Sequence, residues 1–276
     1  MFGAWEDFKR GKKKKLDVKL FGANIKSNIF NLHKELKEKT YQHSPYVSFY
    51  VKDPKLRNIN KATVKDRVLH HAIFVILYRI FDRIFIFDSY SSRNDKGTHR
   101  AAKRLHSFAS KVSKNNTRSC FILKCDIRKF FDSVDREILT HLLEKQIEDE
   151  NTIWLLGKII KSFQKGIPLG NVTSQIFANI YLNELDQFVK RTLKIKYYIR
   201  YCDDFVILSG DKMYLESLIA KIDTFLNTSY RTMLGTSKDV VSSTGLAKCF
   251  AYAVSAKYSS HAEESTIFII CLFPVL

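Results

Sequence analysis

The segment YYIRYCDDFVIL, residues 197–208, constrains the fold more than any other stretch of the chain. Two adjacent carboxylates, Asp203 and Asp204, interrupt an apolar run that otherwise reads as strand. Like charges side by side repel, and a buried carboxylate without a partner is costly. The flanking runs YYIR and FVIL therefore read as two short strands, with YCDD as the tight turn between them. Either that turn is exposed, the ordinary use of an Asp-Asp pair, or something positive holds both acids.

Helical and strand periods organise the rest. A helix is expected from about Asn24 to Lys39. SFYVKDPKLRNINK reads as strand, Pro54 turn and strand, and apolar residues at 64, 68, 72, 75, 76 and 80 predict a helix over 64–80. SYSSRNDKGTH, residues 89–99, is a polar loop, followed by a helix from Arg100 to Val112. SCFILKCD is a short buried strand ending in Asp126, and the helix after it is capped by Ser133 or a nearby Asp. A further helix runs through Trp154 and Ile160. The Gly/Pro loop GIPLGNVTS then delivers a helix over about 174–192. Strands alternate with helices, yet the closing hairpin argues against a doubly wound sheet and for an α+β fold with a mixed sheet packed on helices.

The chain carries a formal net charge of +18, which points to a polyanionic partner, with nucleic acid ahead of an acidic membrane surface. Residues 1–60 hold 14 basic and 6 acidic side chains, 61–230 hold 28 and 19, and 231–276 hold 4 and 3. The basic character stops near residue 230. GKKKK at 11–15 lies between a short aromatic segment and a helix, and read alone it is a solvated charge run. Five cysteines without a CxxC pair fit a reduced, cytoplasmic setting, and no apolar stretch is long enough to span a bilayer.

Asp126 ends its strand 77 residues before Asp203. If that strand lies beside the hairpin, three carboxylates meet at one sheet edge, and three acids so close need cations. Oxygen-only ligation suits Mg²⁺, and a pair of such ions can activate an attacking hydroxyl and stabilise a leaving pyrophosphate.

FILKCDIRKFFDSVD, GIPLGNVTSQIFANIYLNELD and YIRYCDDFVIL, in that order, resemble the central motifs of reverse transcriptases, Tyr201-Cys202-Asp203-Asp204 being the Tyr-x-Asp-Asp box. The resemblance implies a right-hand polymerase with fingers and palm, and metal-binding catalytic roles for Asp126, Asp203 and Asp204, with the Ile127 carbonyl as a further ligand. It implies two Mg²⁺ ions, with Mn²⁺ as a substitute, and template RNA, a DNA or cDNA primer and dNTPs as partners. Phe131 matches the aromatic gate against a ribose 2′-hydroxyl, although it also reads as core beside Phe130. Arg93 and Lys96 match fingers positions that neutralise triphosphate, with surface charge as the other reading. Tyr201 matches a residue packing near the primer end.

Most of these enzymes have Gln-Gly at the start of the loop and Ser-Pro at its end. Here Leu169-Gly170 and Ser174-Gln175 stand there, a form similar to reverse transcriptases of diversity-generating retroelements. That implies error-prone cDNA copied from a template RNA, with Leu169, Gly170 and Gln175 at the nucleotide pocket and a basic accessory protein as a further partner. Group II intron, retron or phage-defence reverse transcriptases are the alternative, as is a catalytically weak RNA-binding remnant. The expected organisation is a basic extension (1–44), a fingers and palm domain (45–230) and an atypical tail (231–276). The tail lacks the family's primer-grip and thumb motifs, so the thumb is expected to be missing or altered, as after a frameshift.

Overall fold

The computed structural model describes residues 1–53, 55–230 and 240–242. In chain order the elements are α1 (Phe2–Lys9), α2 (Leu16–Ala23), α3 (Ile25–Lys37), β1 (Val47–Asp53), β2 (Lys55–Lys61), α4 (Val64–Phe81), α5 (Thr98–Val112) and β3 (Phe121–Cys125). There follow α6 (Phe130–Ser133), α7 (Arg136–Glu144), α8 (Glu150–Lys161), α9 (Val172–Gln187), β4 (Tyr198–Tyr201), β5 (Asp204–Ser209), α10 (Lys212–Tyr230) and β6 (Val240–Ser242). They divide into two compact units, Met1–Ile84 with Val134–Ile180, and Phe85–Ser133 with Tyr181–Leu276.

The first unit is built around α4. Thr63 caps it by accepting from the Asp66 amide, and Asp66 is buried where Tyr41 (2.7 Å) and the Ser44 amide (3.2 Å) donate to its carboxylate. Burial pushes the Asp66 carboxyl up, but the bonds from Thr63 and Tyr41 and the charge of His43 outweigh it and hold it low. The opening aromatic segment folds as α1, whose Trp5 and Phe8 join Val18, Ile29, Val64 and Val68 in one core. An eight-residue helix has little stability of its own; burying two aromatic rings supplies it. β1 and β2 pair antiparallel from Val47↔Lys61 to Asp53↔Lys55.

The second unit holds a four-stranded antiparallel sheet in the order β4-β5-β3-β6. The expectation of an α+β fold with strands packed on helices holds; the ladders between the named strands are antiparallel, and an isolated parallel bridge joins Ser89 to Arg200 of β4. Strand alternation sends Ile122, Ile199, Val206 and Leu208 to one face, where Ala101, Leu105 and Phe108 of α5 cover them. α10 buries Leu215, Leu218, Ile222 and Leu226 at helical spacing. The helix expected to reach 192 ends its α geometry at Gln187 and continues as a π turn, Phe188–Thr192. There Phe188 stacks on Phe225 of α10 with centroids 4.1 Å apart and planes 4° from parallel.

β6 extends this sheet by pairing with β3. The remaining expectations for residues 231–276, including those about the thumb, fall outside the described residues. Among the described residues no helix is long and apolar enough to cross a membrane.

Candidate active site

The turn joining β4 and β5 is as short as a hairpin allows. Tyr201 pairs with Asp204, leaving Cys202 and Asp203 as the two loop residues. Cys202 has φ 56, the positive value that two-residue hairpin turns need at their first central position. A side chain there costs conformational energy that glycine would not. The Cys202 side chain is buried instead, and burial, with the Asp203 carboxylate beside it, pushes its thiol far up. That cysteine is packing, not a nucleophile.

Register then places the acids. β3 pairs with β5 through Cys125↔Phe205, which brings Asp126, the residue after β3, to the end of the sheet where Asp204 begins β5. Asp203 lies at the turn between β4 and β5. All three are partly exposed.

A cation does sit in this motif, and it does something the sequence reading missed. Arg200 is fully buried. Its Nε donates to Asp186 Oδ1 (2.8 Å) and its Nη2 to Oδ2 (2.7 Å), a two-pronged pair with the last turn of α9. Tyr198 donates to the same carboxylate at 2.7 Å. Nη1 of Arg200 turns the other way and donates to the Cys202 carbonyl at 3.0 Å. Its backbone is also engaged: its amide donates to the Asp88 carbonyl (3.0 Å) and its carbonyl accepts from the Tyr90 amide (2.9 Å). Burial alone would lower the basicity of the guanidinium, but Asp186 raises it above the ordinary arginine value. An Arg in an apolar strand, with an Asp fourteen residues upstream, was the available signal; nothing in the spacing joins them.

The donor set fits a hard divalent ion, because Asp126, Asp203, Asp204 and the Ile127 carbonyl offer oxygen only. The geometry is less complete. No three His, Cys, Asp or Glu side chains among the described residues form a group that could hold a metal ion. The β3–β5 register brings Asp126 and Asp204 to the same end of the sheet.

The remaining sequence-predicted residues separate between the units. In the second, Phe130 is the core ring, edge-on to Tyr181 at 6.2 Å. Phe131 stands edge-on to Phe130 at 5.4 Å and is only partly buried. Tyr201 packs against the α5-facing core. Arg93 donates to the Ile86 (2.7 Å) and Ser89 (3.0 Å) carbonyls, and Lys96 to the Phe87 carbonyl (2.7 Å) while lying over the Phe87 ring. These two cations brace their own loop.

In the first unit, Leu169, Gly170 and Asn171 are sewn to β2. The Asn60 amide donates to the Leu169 carbonyl (2.9 Å) and Asn171 Nδ2 to the Asn60 carbonyl (3.1 Å). Gly170 has φ 108, and a Cβ there would lie 2.7 Å from Ile59 Cγ2. Glycine is required twice, by conformation and by space. Gln175 is exposed on the first turn of α9.

Comparison with known proteins places this geometry. Residues 51–250 match the family model described as reverse transcriptase (RNA-dependent DNA polymerase). Protein YkfC of Escherichia coli is 26% identical over 260 residues, covering 78% of this chain and 68% of its own. The group II intron-encoded protein LtrA of Lactococcus lactis is 28% identical over 182 residues, covering 61% of this chain and 29% of its own. The telomerase of Candida tropicalis, solved with a TWJ fragment of telomeric RNA, superposes with a TM-score of 0.55 at 14% identity, covering 77% of this chain and 44% of that one. The chain thus spans less than half of LtrA and of that telomerase. With the family match covering most of its length, and the sheet, the hairpin and its acids arranged as described, the chain belongs to the reverse transcriptases, the RNA-dependent DNA polymerases.

Proposed function

We propose that this chain copies a template RNA into error-prone cDNA, extending a DNA or cDNA primer with dNTPs, as in a diversity-generating retroelement. The observation that carries the reading is the loop Leu169–Gly170–Asn171. Asn60 and Ile59 fix its backbone tightly, so the side chain at position 169 is presented in one place. An aliphatic Leu there cannot donate or accept a hydrogen bond, whereas the usual amide of the family can. A pocket without that bond discriminates less between correct and incorrect nucleotides, because specificity of this kind comes from polar groups left unpaired by the wrong substrate.

Asp126, Asp203, Asp204 and the Ile127 carbonyl would hold Mg²⁺, or Mn²⁺ in its place. Bound divalent ions lower the pKa of an attacking hydroxyl and stabilise charge on the leaving pyrophosphate. The protein's own part is positional. The β3–β5 register brings Asp126 and Asp204 to one end of the sheet, and Phe131 walls the sugar edge against a 2′-hydroxyl. Gly170 lets the loop backbone close against Ile59 of β2. Asp204→Asn, assayed for single-nucleotide addition on an RNA template, should lose activity by several orders of magnitude with the fold retained. Full activity in that variant removes the basis of the reading.

A group II intron-type reverse transcriptase is the second reading, favoured by the similarity to LtrA. Sequenced products separate the two. The diversifying reading expects misincorporation concentrated opposite template adenine and reduced by Leu169→Gln; an even, low error spectrum unaffected by that change supports the intron type.

A further inference from the structure

The turn carrying Asp203 and Asp204 is held in a conformation its own sequence disfavours. Cys202 has φ 56 without being glycine, and adjacent carboxylates add repulsion at the same tip. Something must fix this turn before it can present two acids in a constant geometry. From the geometry we infer that Arg200 is a positioning residue for the catalytic turn, clamping the Cys202 carbonyl from a socket formed by Asp186 and Tyr198. The inference rests on the reading that this turn carries the catalytic acids.

Three features make the clamp directional. The guanidinium is a rigid fork, and two of its nitrogens are already committed to Asp186 at 2.7 and 2.8 Å. The third nitrogen therefore has one direction left, toward the Cys202 carbonyl at 3.0 Å. Asp186 is itself fixed by the Tyr198 hydroxyl at 2.7 Å, so the anchor cannot rotate freely. Arg200 and Asp186 are both wholly excluded from solvent, where a hydrogen bond to a carbonyl is strong and water cannot replace it.

The backbone of Arg200 extends the clamp to the loop before α5. Residues 88–90 bridge to it through two hydrogen bonds, at 3.0 and 2.9 Å, next to the carbonyls that Arg93 and Lys96 hold. One residue thus ties together the end of α9, the 88–90 segment and the catalytic turn. A purely structural ion pair would not need the third bond.

The test uses the full chain. Arg200→Lys keeps the charge but offers one nitrogen in place of the fork. It should lower kcat by about 100-fold, the loss typical of a displacement near 1 Å at a reacting centre. dNTP KM and template–primer affinity should stay within about threefold. Hydrogen exchange should rise in amides 198–208 and stay unchanged in α7 and α8. Glycine accepts positive φ without strain, so adding Cys202→Gly should return about tenfold of the lost kcat. If Arg200→Lys fails to fold by circular dichroism, Asp186→Asn, which loses the charge and one acceptor, is read by the same criteria. Unchanged kcat with unchanged exchange at 198–208 overturns the inference. So does a loss shared equally by RNA affinity and exchange throughout the unit, no recovery with Cys202→Gly, or failure of both variants to fold; each leaves only a core ion pair. Asp204→Asn run in parallel separates the failures: if it is active, the assignment of the acids is wrong, whereas if it is dead and Arg200→Lys is normal, only the clamp is wrong.

Discussion

Replacing Gly170 by alanine should expose how tightly the pocket loop is built. Two costs are separable in the structure. The backbone sits at φ 108, a region that L-residues avoid, at about 1–3 kcal/mol. The new Cβ would also meet Ile59 Cγ2 at 2.7 Å, well inside contact distance, and forced overpacking of this kind costs about 1–3 kcal/mol. Together Gly170→Ala should destabilise the chain by about 3 kcal/mol. Ile59→Ala removes the atom in the way but leaves φ unchanged, so in that background the same change should cost only about 1.5 kcal/mol. Urea unfolding of the four proteins gives the coupling directly, and about 1.5 kcal/mol is within the range for residues in contact. Single-nucleotide addition by Gly170→Ala should also slow, because a displaced loop loses the bonds from Asn60 and Asn171. Equal costs in the two backgrounds would show that Ile59 does not confine the loop, and a cost below about 0.5 kcal/mol would refute the φ argument as well.

Three further outcomes are expected. His70 is buried with both ring nitrogens lacking a hydrogen-bond partner, and burial, with the charge of His43, lowers its pKa to about 3. Its folded value lies below its unfolded one, so its contribution is intact above pH 6.5 and is lost as pH falls from there towards 3; from pH 6.5 to 5 that is about 2 kcal/mol, and His70→Leu should flatten this acid limb in denaturant titrations. Phe131→Ala should admit rNTPs while leaving stability nearly unchanged, since Phe130 is the core ring; unchanged sugar discrimination on one RNA template would return Phe131 to a packing role. RNA affinity should fall with salt at a log–log slope of about −0.7 per neutralised phosphate, and changing Lys13 and Lys14 to Ala should shallow it; a slope unaffected by that change would place the contacts elsewhere.

The hairpin and most helices were legible because their signals are local. α4 was expected over 64–80 and runs to Phe81, and the YYIR and FVIL strands appear as β4 and β5. What was hidden depends on contacts between elements. Arg200 lies on the face of β4 shared with Tyr198, and its partner is on a helix that the chain leaves before the strand begins. α1 was unreadable because its helicity comes from packing against α4. The π turn after α9 looks helical in sequence; at its start Phe188 stacks on Phe225, a contact between elements. The acids were half legible: their types and order were plain, while the placing of Asp126 and Asp204 at one end of the sheet needed the β3–β5 register.

The count of 46 lysines and arginines overstates what is available to phosphate, and the reason separates arginine from lysine. Arg200 is spent on Asp186, Arg104 on Asp88, and Arg67 with Lys61 on Asp17. Arg136 donates to the Phe163 and Gln164 carbonyls, and Arg93 braces its own loop. These arginines use the rigid fork to fix backbone and carboxylates, which a flexible ammonium does poorly. Even within GKKKK the division holds. Lys12 folds back over the Phe8 ring at 4.8 Å and donates to the Phe8 carbonyl, and burial, with Arg67 nearby, lowers its pKa. Lys13, Lys14 and Lys15 stay exposed. Counterion release on RNA should therefore follow the exposed lysines and be smaller than the count of basic side chains implies, because a cation whose donors are spent inside the protein does not neutralise a phosphate and so releases none of its condensed counterions.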